Sequence, residues 1–240
     1  TPALRIVYEN QKEIDKSPGK MVYTTTGYFT QHNLPFVLNE QFTNQEKMEE
    51  FLEDSVDHDY KYVCGKTRNT TKNPPKPFTT SRIQQTANTE IRCSPKETMM
   101  ICQKLYEGGF ITYMRTDSVM LADEAIGQIR DHIKKQFGKE SVNPSIRKFK
   151  SKSKNAQEAH EAIRPANFAF SSLNDSSPED KLYSLIWRKT MASQMSDAEI
   201  QRTTIEIGHE GQTPNFNTVG EVIKFDGFLK LYNLDDENNE

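Results

Sequence analysis

The sequence predicts an α+β chain in which a helical domain is inserted into an antiparallel, β-rich arch. Alternating, strand-like segments lie at residues 21–31, 34–41 and 60–70, and again at 203–207 and 218–225. The stretch between them carries apolar residues at helical spacing. A connector, Thr71-Lys72-Asn73-Pro74-Pro75-Lys76-Pro77, separates the two patterns. Its clustered prolines cannot continue a strand, so a stiff, extended hinge is expected there. The expected organisation is a helix over 1–16 left from a preceding domain, an arch from 17–72 and 197–232, a helical domain over 73–196, and an acidic tail at 233–240.

Within the first arch segment, residues 44–52 read as a short acidic helix. In the inserted block, Ile83, Ala87 and Ile91 recur every four residues behind Ser81. Ser94-Pro95-Lys96-Glu97 supplies a serine cap, a proline at the first turn and a glutamate to close a capping box. That helix is expected to run to Glu107 and stop at Gly108-Gly109, which delivers the chain into a strand carrying Tyr113. Ile126, Ile129, Ile133 and Phe137 form the stripe of another helix ending at Gly138. Ser177-Pro178-Glu179-Asp180 opens the last long helix, with Leu182, Leu185, Ile186 and Ala192 inward and Trp187 in the core. Tyr8, Tyr28, Tyr60, Tyr183 and Tyr232 have no basic partner at useful spacing and are read as structural.

The 240 residues allow one or two domains, yet the apolar fraction is 34% and the mean hydropathy −0.80, low for a self-contained unit. The net charge of −3 conceals segregation. Residues 39–59 hold eight acidic groups against Lys47, read as a solvated face. Residues 61–104 hold nine Lys and Arg against Glu90 and Glu97, and residues 130–154 hold nine against Asp131 and Glu140. These two basic blocks flank Tyr113 and read as a nucleic-acid footprint, with salt-sensitive binding expected. Asp57 and Asp59 are one residue apart, but position 63 is Val, so no metal site is expected. Cys64, Cys93 and Cys102 are odd in number and lack a Cys-x-x-Cys pair, which argues against disulfides and a zinc ribbon and for a reducing, intracellular setting. No apolar stretch approaches a membrane span and no signal-peptide pattern occurs, so a soluble chain is expected.

Residues 109–118, Gly-Phe-Ile-Thr-Tyr-Met-Arg-Thr-Asp-Ser, carry the sharpest chemical signal. Tyrosine is a poor nucleophile at neutral pH because its reference pKa is about 10. A guanidinium beside it lowers the cost of the phenolate and can hold a phosphate. In an extended segment Tyr113 and Arg115 share a face, which suits attack on a phosphodiester whose oxygens the cation already holds. A buried strand ending in an ordinary Tyr-Arg pair is the competing reading. Residues 157–165, Gln-Glu-Ala-His-Glu-Ala-Ile-Arg-Pro, form a second constellation. On a helical turn His160 and Arg164 share one face, and Glu161 lies three residues from Arg164. Pro165 ends such a turn and leaves Arg164 to reach outward. A surface turn laced by a Glu–Arg pair is the alternative.

Together these segments resemble the signatures of type IA DNA topoisomerases, most closely the bacterial topoisomerase I branch. A third stretch, Pro77-Phe78-Thr79-Thr80-Ser81-Arg82-Ile83-Gln84-Gln85, resembles that family's segment ahead of the tyrosine, and the likeness runs from Thr1 to about Leu231. The resemblance implies that Tyr113 attacks single-stranded DNA and stays on the 5′ phosphate. It implies that Arg115 binds the scissile phosphate with support from His160, while Arg164 holds nearby backbone. Thr80, Ser81, Arg82, Gln84, Thr116, Asp117, Ser118 and Glu161 are the further DNA-contacting positions it marks. Ala166 and Arg82 depart from the pattern, which more often has a small hydroxyl residue at each.

The family also carries an N-terminal toprim domain whose acidic residues bind Mg2+, and a C-terminal DNA-binding part; neither pattern occurs here. The chain is therefore expected to be a fragment, without a metal of its own and monomeric. It is expected to bind single-stranded DNA and to be inactive without those parts, within a cytoplasmic or nucleoid-associated enzyme. Two other functions stay open: a non-catalytic single-strand-binding module in which Tyr113 and nearby aromatics stack on bases, and a metal-free tyrosine phosphodiesterase or recombinase.

Overall fold

In a computed structural model of the chain, residues 1–149, 161–173, 176–209 and 214–233 are described. The chain divides into two compact units, Thr1–Arg68 with Arg202–Val222, and Asn69–Gln201 with Ile223–Glu240. His160, the lysines at 150, 152 and 154, and the acidic tail from 234 onward lie outside the described residues.

Alternation builds the first unit. In β2 (Pro35–Leu38), Phe36 and Leu38 are buried while Pro35 and Val37 are exposed. It pairs antiparallel with β1 (Thr26–Tyr28), and Val37 faces Asn217 of the long strand β6 (Phe216–Phe225). Beyond β6 lie β5 (Ala198–His209) and then β3 (Tyr60–Cys64), with Tyr62 opposite Ile207; β4 (Arg68–Lys72) also pairs with β5. The inner face is aromatic. Phe29 meets Phe36 and Phe216 edge-on at centroid distances of 5.6 and 5.1 Å, and Phe51 of α2 (Gln45–Val56) lies 5.4 Å from Phe42. The Asn44 side chain caps α2 by accepting from Glu46 N and Lys47 N. Helix α1 (Pro2–Lys16) buries no residue.

Several strand bounds differ from expectation. The strand expected over 60–70 is broken: Gly65 N–H donates to Thr204 O at 2.8 Å, and a side chain at Gly65 would crowd that oxygen at 3.1 Å. The Thr67 hydroxyl then bonds that of Thr203 before β4 begins. The strand expected over 21–31 shrinks to β1 plus a Tyr23–Phe42 bridge. A turn closes that hairpin, with Asn33 at φ 50° donating to Thr30 O.

The second unit is helical: α3 (Thr80–Ile91), α4 (Pro95–Glu107), α5 (Asp123–Phe137), α6 (Pro178–Ala192) and the short α7 (Lys230–Asn233). Ile83, Ile101, Leu105, Ile129, Ile133, Leu182, Ile186 and Met191 share its core, at about 1.5–3 kcal/mol per fully buried aliphatic side chain. The capping box on α4 is formed in both directions, and its hydrogen bonds from Ser94 hold the Glu97 carboxyl below the usual carboxylate range. Phe228 and Leu231 belong to this core, so residues 223–232 join the helical unit rather than the arch. The boundary also falls at 68/69, ahead of the proline run, and Pro74 and Pro77 are buried within the helical unit.

All three thiols are free; Cys64 is exposed, while burial pushes the Cys102 thiol up to about 12 with Cys93 adding to the rise. Iodoacetamide at pH 8 is expected to label Cys64 at least about tenfold faster than Cys102, and the unfolded chain is expected to label both alike. Mass spectrometry of tryptic peptides reads the ratio; equal native rates would contradict this core.

Candidate active site

The three motif segments are stitched together by backbone hydrogen bonds. Thr79 caps α3 through its hydroxyl, and Phe78 just before it accepts from Ile163 N at 3.0 Å. Thr80, the first residue of α3, reaches the tyrosine segment: its N–H donates to Thr116 O at 2.9 Å, and its hydroxyl donates to Met114 O at 2.7 Å and accepts from Thr116 N at 2.8 Å. Residues 161–166 form an extended strip whose neighbours alternate. Ala162 N donates to Met120 O and Ile163 N to Phe78 O, while Thr112 N donates to Arg164 O and Ala166 N to Phe110 O, all at 2.8–3.0 Å. The Thr112 hydroxyl donates to Ala162 O and accepts from Arg164 N.

This stitching sets the tyrosine's face. Ile111, Met114, Thr116 and Ser118 turn inward, Met114 being 1% exposed, while Tyr113, Arg115 and Asp117 face outward. Tyr113 is 42% exposed. The segment is extended but is not a strand; its single ladder contact is the bridge from Ile111 to Pro165. Arg115 and Asp117 make no ion pair or hydrogen bond among the described residues. The buried hydroxyls have local work: Thr116 Oγ1 accepts from Ser118 N at 3.0 Å, and Ser118 Oγ accepts from Met120 N at 3.1 Å. These two side chains shape the turn and do not face solvent.

Glu161 is a strut. One carboxylate oxygen accepts from Ala122 N at 2.6 Å, capping α5 where no side chain of its own does so; the other accepts from Arg164 Nε and Nη2 at 3.1 and 2.7 Å. Arg164 Nη1 donates to Pro165 O, and the guanidinium lies 5.8 Å from the Phe168 ring. The side chains of Arg164 and Glu161 are 17% and 29% exposed. Arg164 is thus folded back rather than reaching outward, and residues 161–166 are extended rather than helical; the face it is expected to share with His160 lies outside the described residues. The extended strip is held by Thr112 and Phe78, and those partners override the local spacing.

Ser81 and Arg82 are exposed at the start of α3 and Gln84 is partly so; Arg82 donates to Gln85 at 3.2 Å. Lys189 of α6 sets its ammonium 4.2 Å from the Phe78 ring centroid. Its pKa lies below the usual lysine value, chiefly through burial, with Glu90 opposing and Arg82 reinforcing the fall. The basic blocks are partly spent internally: Lys104 pairs with Glu179, Arg147 with Asp197 and Lys148 with Asp123. Lys134 and Lys139 are exposed and, with the half-buried Arg130 and the acidic Asp131 and Glu140, line a cavity of about 630 Å3.

Two of the other tyrosines are poor competitors. Burial raises Tyr183, whose hydroxyl donates to Asn167 O and Phe170 O. Burial also pushes Tyr232 up to about 12, although the Arg188 guanidinium lies 5.5 Å from its ring, a partner the sequence spacing did not reveal. Sequence reasoning also missed Tyr106, whose ring meets Tyr113 edge-on at 5.3 Å; its position in the last turn of α4, seven residues ahead, was the available signal.

A family model described as DNA topoisomerase matches residues 1–240. The DNA topoisomerase 1 of Synechococcus elongatus is 48% identical over 166 residues, covering 68% of this chain and 19% of that protein. That of Helicobacter pylori is 36% identical over 257 aligned residues, covering 98% of this chain and 34% of that protein. Full-length topoisomerase I from Thermotoga maritima is a structural neighbour with a TM-score of 0.71 and 31% identity, covering 95% of this chain and 39% of that one. The chain therefore spans between about a fifth and a third of the length of these curated relatives.

Proposed function

The chain belongs to the bacterial type IA DNA topoisomerase family, and on that premise we propose that Tyr113 is the nucleophile of a transient single-strand break. The supporting observation is the outward Tyr113–Arg115 face on a backbone pinned from both sides by the other two motif segments. The Tyr113 hydroxyl oxygen bonds the scissile phosphorus, the bond to the 3′ oxygen breaks, and the tyrosyl proton is balanced by one gained at that 3′ oxygen. The phosphotyrosine conserves the energy of the broken bond, so the reverse attack reseals the strand without ATP. Arg115, unpaired among the described residues, meets the non-bridging oxygens as charge develops on them.

The remaining roles follow from exposure. Ser81, Arg82, Gln84 and Asp117 line the DNA-facing side, whereas Thr80, Thr116 and Ser118 hold the tyrosine segment in place. His160 supports the phosphate network as the family resemblance implies. Arg164 exchanges its Glu161 partner for a backbone phosphate when DNA binds. Among the described residues no group of three His, Cys, Asp or Glu could hold a metal ion, so these residues do not fit the Mg2+ that the family generally uses. We assign that ion to the acidic residues that the family resemblance places in a toprim domain. The whole enzyme passes a strand through the break and relaxes negatively supercoiled DNA as a monomer inside the cell, as the family resemblance implies. No helix among the described residues is long and apolar enough to cross a membrane.

A covalent-trapping gel with 3′-labelled single-stranded DNA tests this, with and without a supplied toprim domain. An adduct that requires the added domain and disappears in Tyr113→Phe is the expected result. Binding without adduct in every condition would instead favour the stacking module, for which exposed Tyr106, Phe110 and Phe170 would be the platform. Adduct without an added domain would favour a metal-free phosphodiesterase.

A further inference from the structure

Tyr113 has a fixed backbone and a loosely held ring. Thr112 on one side is tied to Ala162 and Arg164, and Met114 on the other is buried with its carbonyl bonded by Thr80. The phenol itself has no hydrogen-bond partner among the described residues. A half-exposed side chain in that position samples more than one staggered χ1 well, and each well places the hydroxyl at a different point in space. Among the described residues a single ring restrains it: Tyr106, at a centroid distance of 5.3 Å and an interplanar angle of 67°.

Local sequence explains how Tyr106 comes to stand there. α4 ends with Gly108 N bonded to Lys104 O, Gly109 N to Tyr106 O and Phe110 N to Leu105 O, with Gly109 at φ 74°. The chain reverses over these residues and brings position 113 back against the last helical turn. Tyr106 is itself 41% exposed, so its ring is not needed to fill the core.

We infer that Tyr106 is a positioning residue for the Tyr113 nucleophile: its ring edge-contact selects the χ1 well from which the Tyr113 hydroxyl reaches the scissile phosphorus. The inference rests on the nucleophile role of Tyr113. An aromatic edge contact biases a two-well equilibrium roughly two- to tenfold, and the competent fraction scales the cleavage rate directly. The ring carries the effect, so phenylalanine suffices at position 106.

The test measures single-turnover cleavage of 3′-labelled single-stranded DNA by the full-length protein, with anisotropy for DNA affinity. Tyr106→Ala is expected to slow cleavage about two- to tenfold with affinity unchanged, and Tyr106→Phe to cleave at close to the wild-type rate. In the DNA-free protein, 3-fluorotyrosine at position 113 is expected to shift its 19F resonance in Tyr106→Ala and much less in Tyr106→Phe. A wild-type rate for Tyr106→Ala overturns the inference, as does a Tyr106→Phe rate as slow as the alanine variant. Affinity falling in step with rate also overturns it, since Tyr106 would then be a DNA platform. The nucleophile reading fails separately, if Tyr113→Phe still forms the adduct or if the wild-type protein forms none.

Discussion

Tyr113→Phe is expected to abolish covalent adduct and supercoil relaxation, by at least about 10⁴-fold, while single-strand affinity stays within about twofold. One oxygen is removed from a side chain that makes no hydrogen bond among the described residues and is 42% exposed, so stability has no reason to change. Arg115→Ala is expected to lose less, about 10²- to 10³-fold, because the role proposed for it is to stabilise developing charge and not to form the bond. Tyr183 and Tyr232 cannot substitute, since burial raises both phenols and the Tyr183 hydroxyl is already engaged. Among the described residues Tyr106 is the tyrosine whose ring meets that of Tyr113, so any residual adduct should be mapped by peptide mass spectrometry. An adduct of wild-type yield on Tyr106 would move the nucleophile by seven residues; one elsewhere in the chain would remove the chemistry from this site.

The legible parts of this chain are those decided within a few residues. The Ser94 capping box, the Gly108-Gly109 stop and the Ser177-Pro178 helix start depend on local hydrogen bonds, and all three stand in the structure. The order of the three motifs, and the shared outward face of Tyr113 and Arg115, were likewise readable from spacing. Strand lengths were not, because pairing partners distant in sequence decide where a ladder begins; Gly65 opposite Thr204 is the clearest case. Residues 223–232 illustrate a different limit. Their apolar side chains signal burial, but periodicity cannot say that Phe228 and Leu231 enter the helical core rather than the arch. Arg164 was misdirected for a related reason. Its pairing with Glu161 was visible as a three-residue spacing, yet the backbone that orients the pair is extended, bonded to Thr112 some fifty positions earlier.

Glu161→Ala is expected to cost about 2–4 kcal/mol and to lower the unfolding midpoint of the helical unit by roughly 5–10 °C. Two losses combine. Ala122 N at the start of α5 loses its acceptor, and the Arg164 guanidinium, with a side chain only 17% exposed, loses its carboxylate. The same change sets a cation free beside the proposed strand path. Single-strand affinity should therefore rise, and the salt slope should steepen by roughly 0.7, the contribution of one added phosphate contact on a single strand. Cleavage should fall nonetheless, since Glu161 also anchors the strip that fixes Thr112 beside Tyr113. Calorimetry and salt titration of DNA binding separate these effects. If affinity falls instead, with a shallower salt slope, Glu161 orients Arg164 toward DNA rather than competing with it. The exchange of partners proposed for Arg164 would then be wrong, while the assignment of Tyr113 would stand untouched.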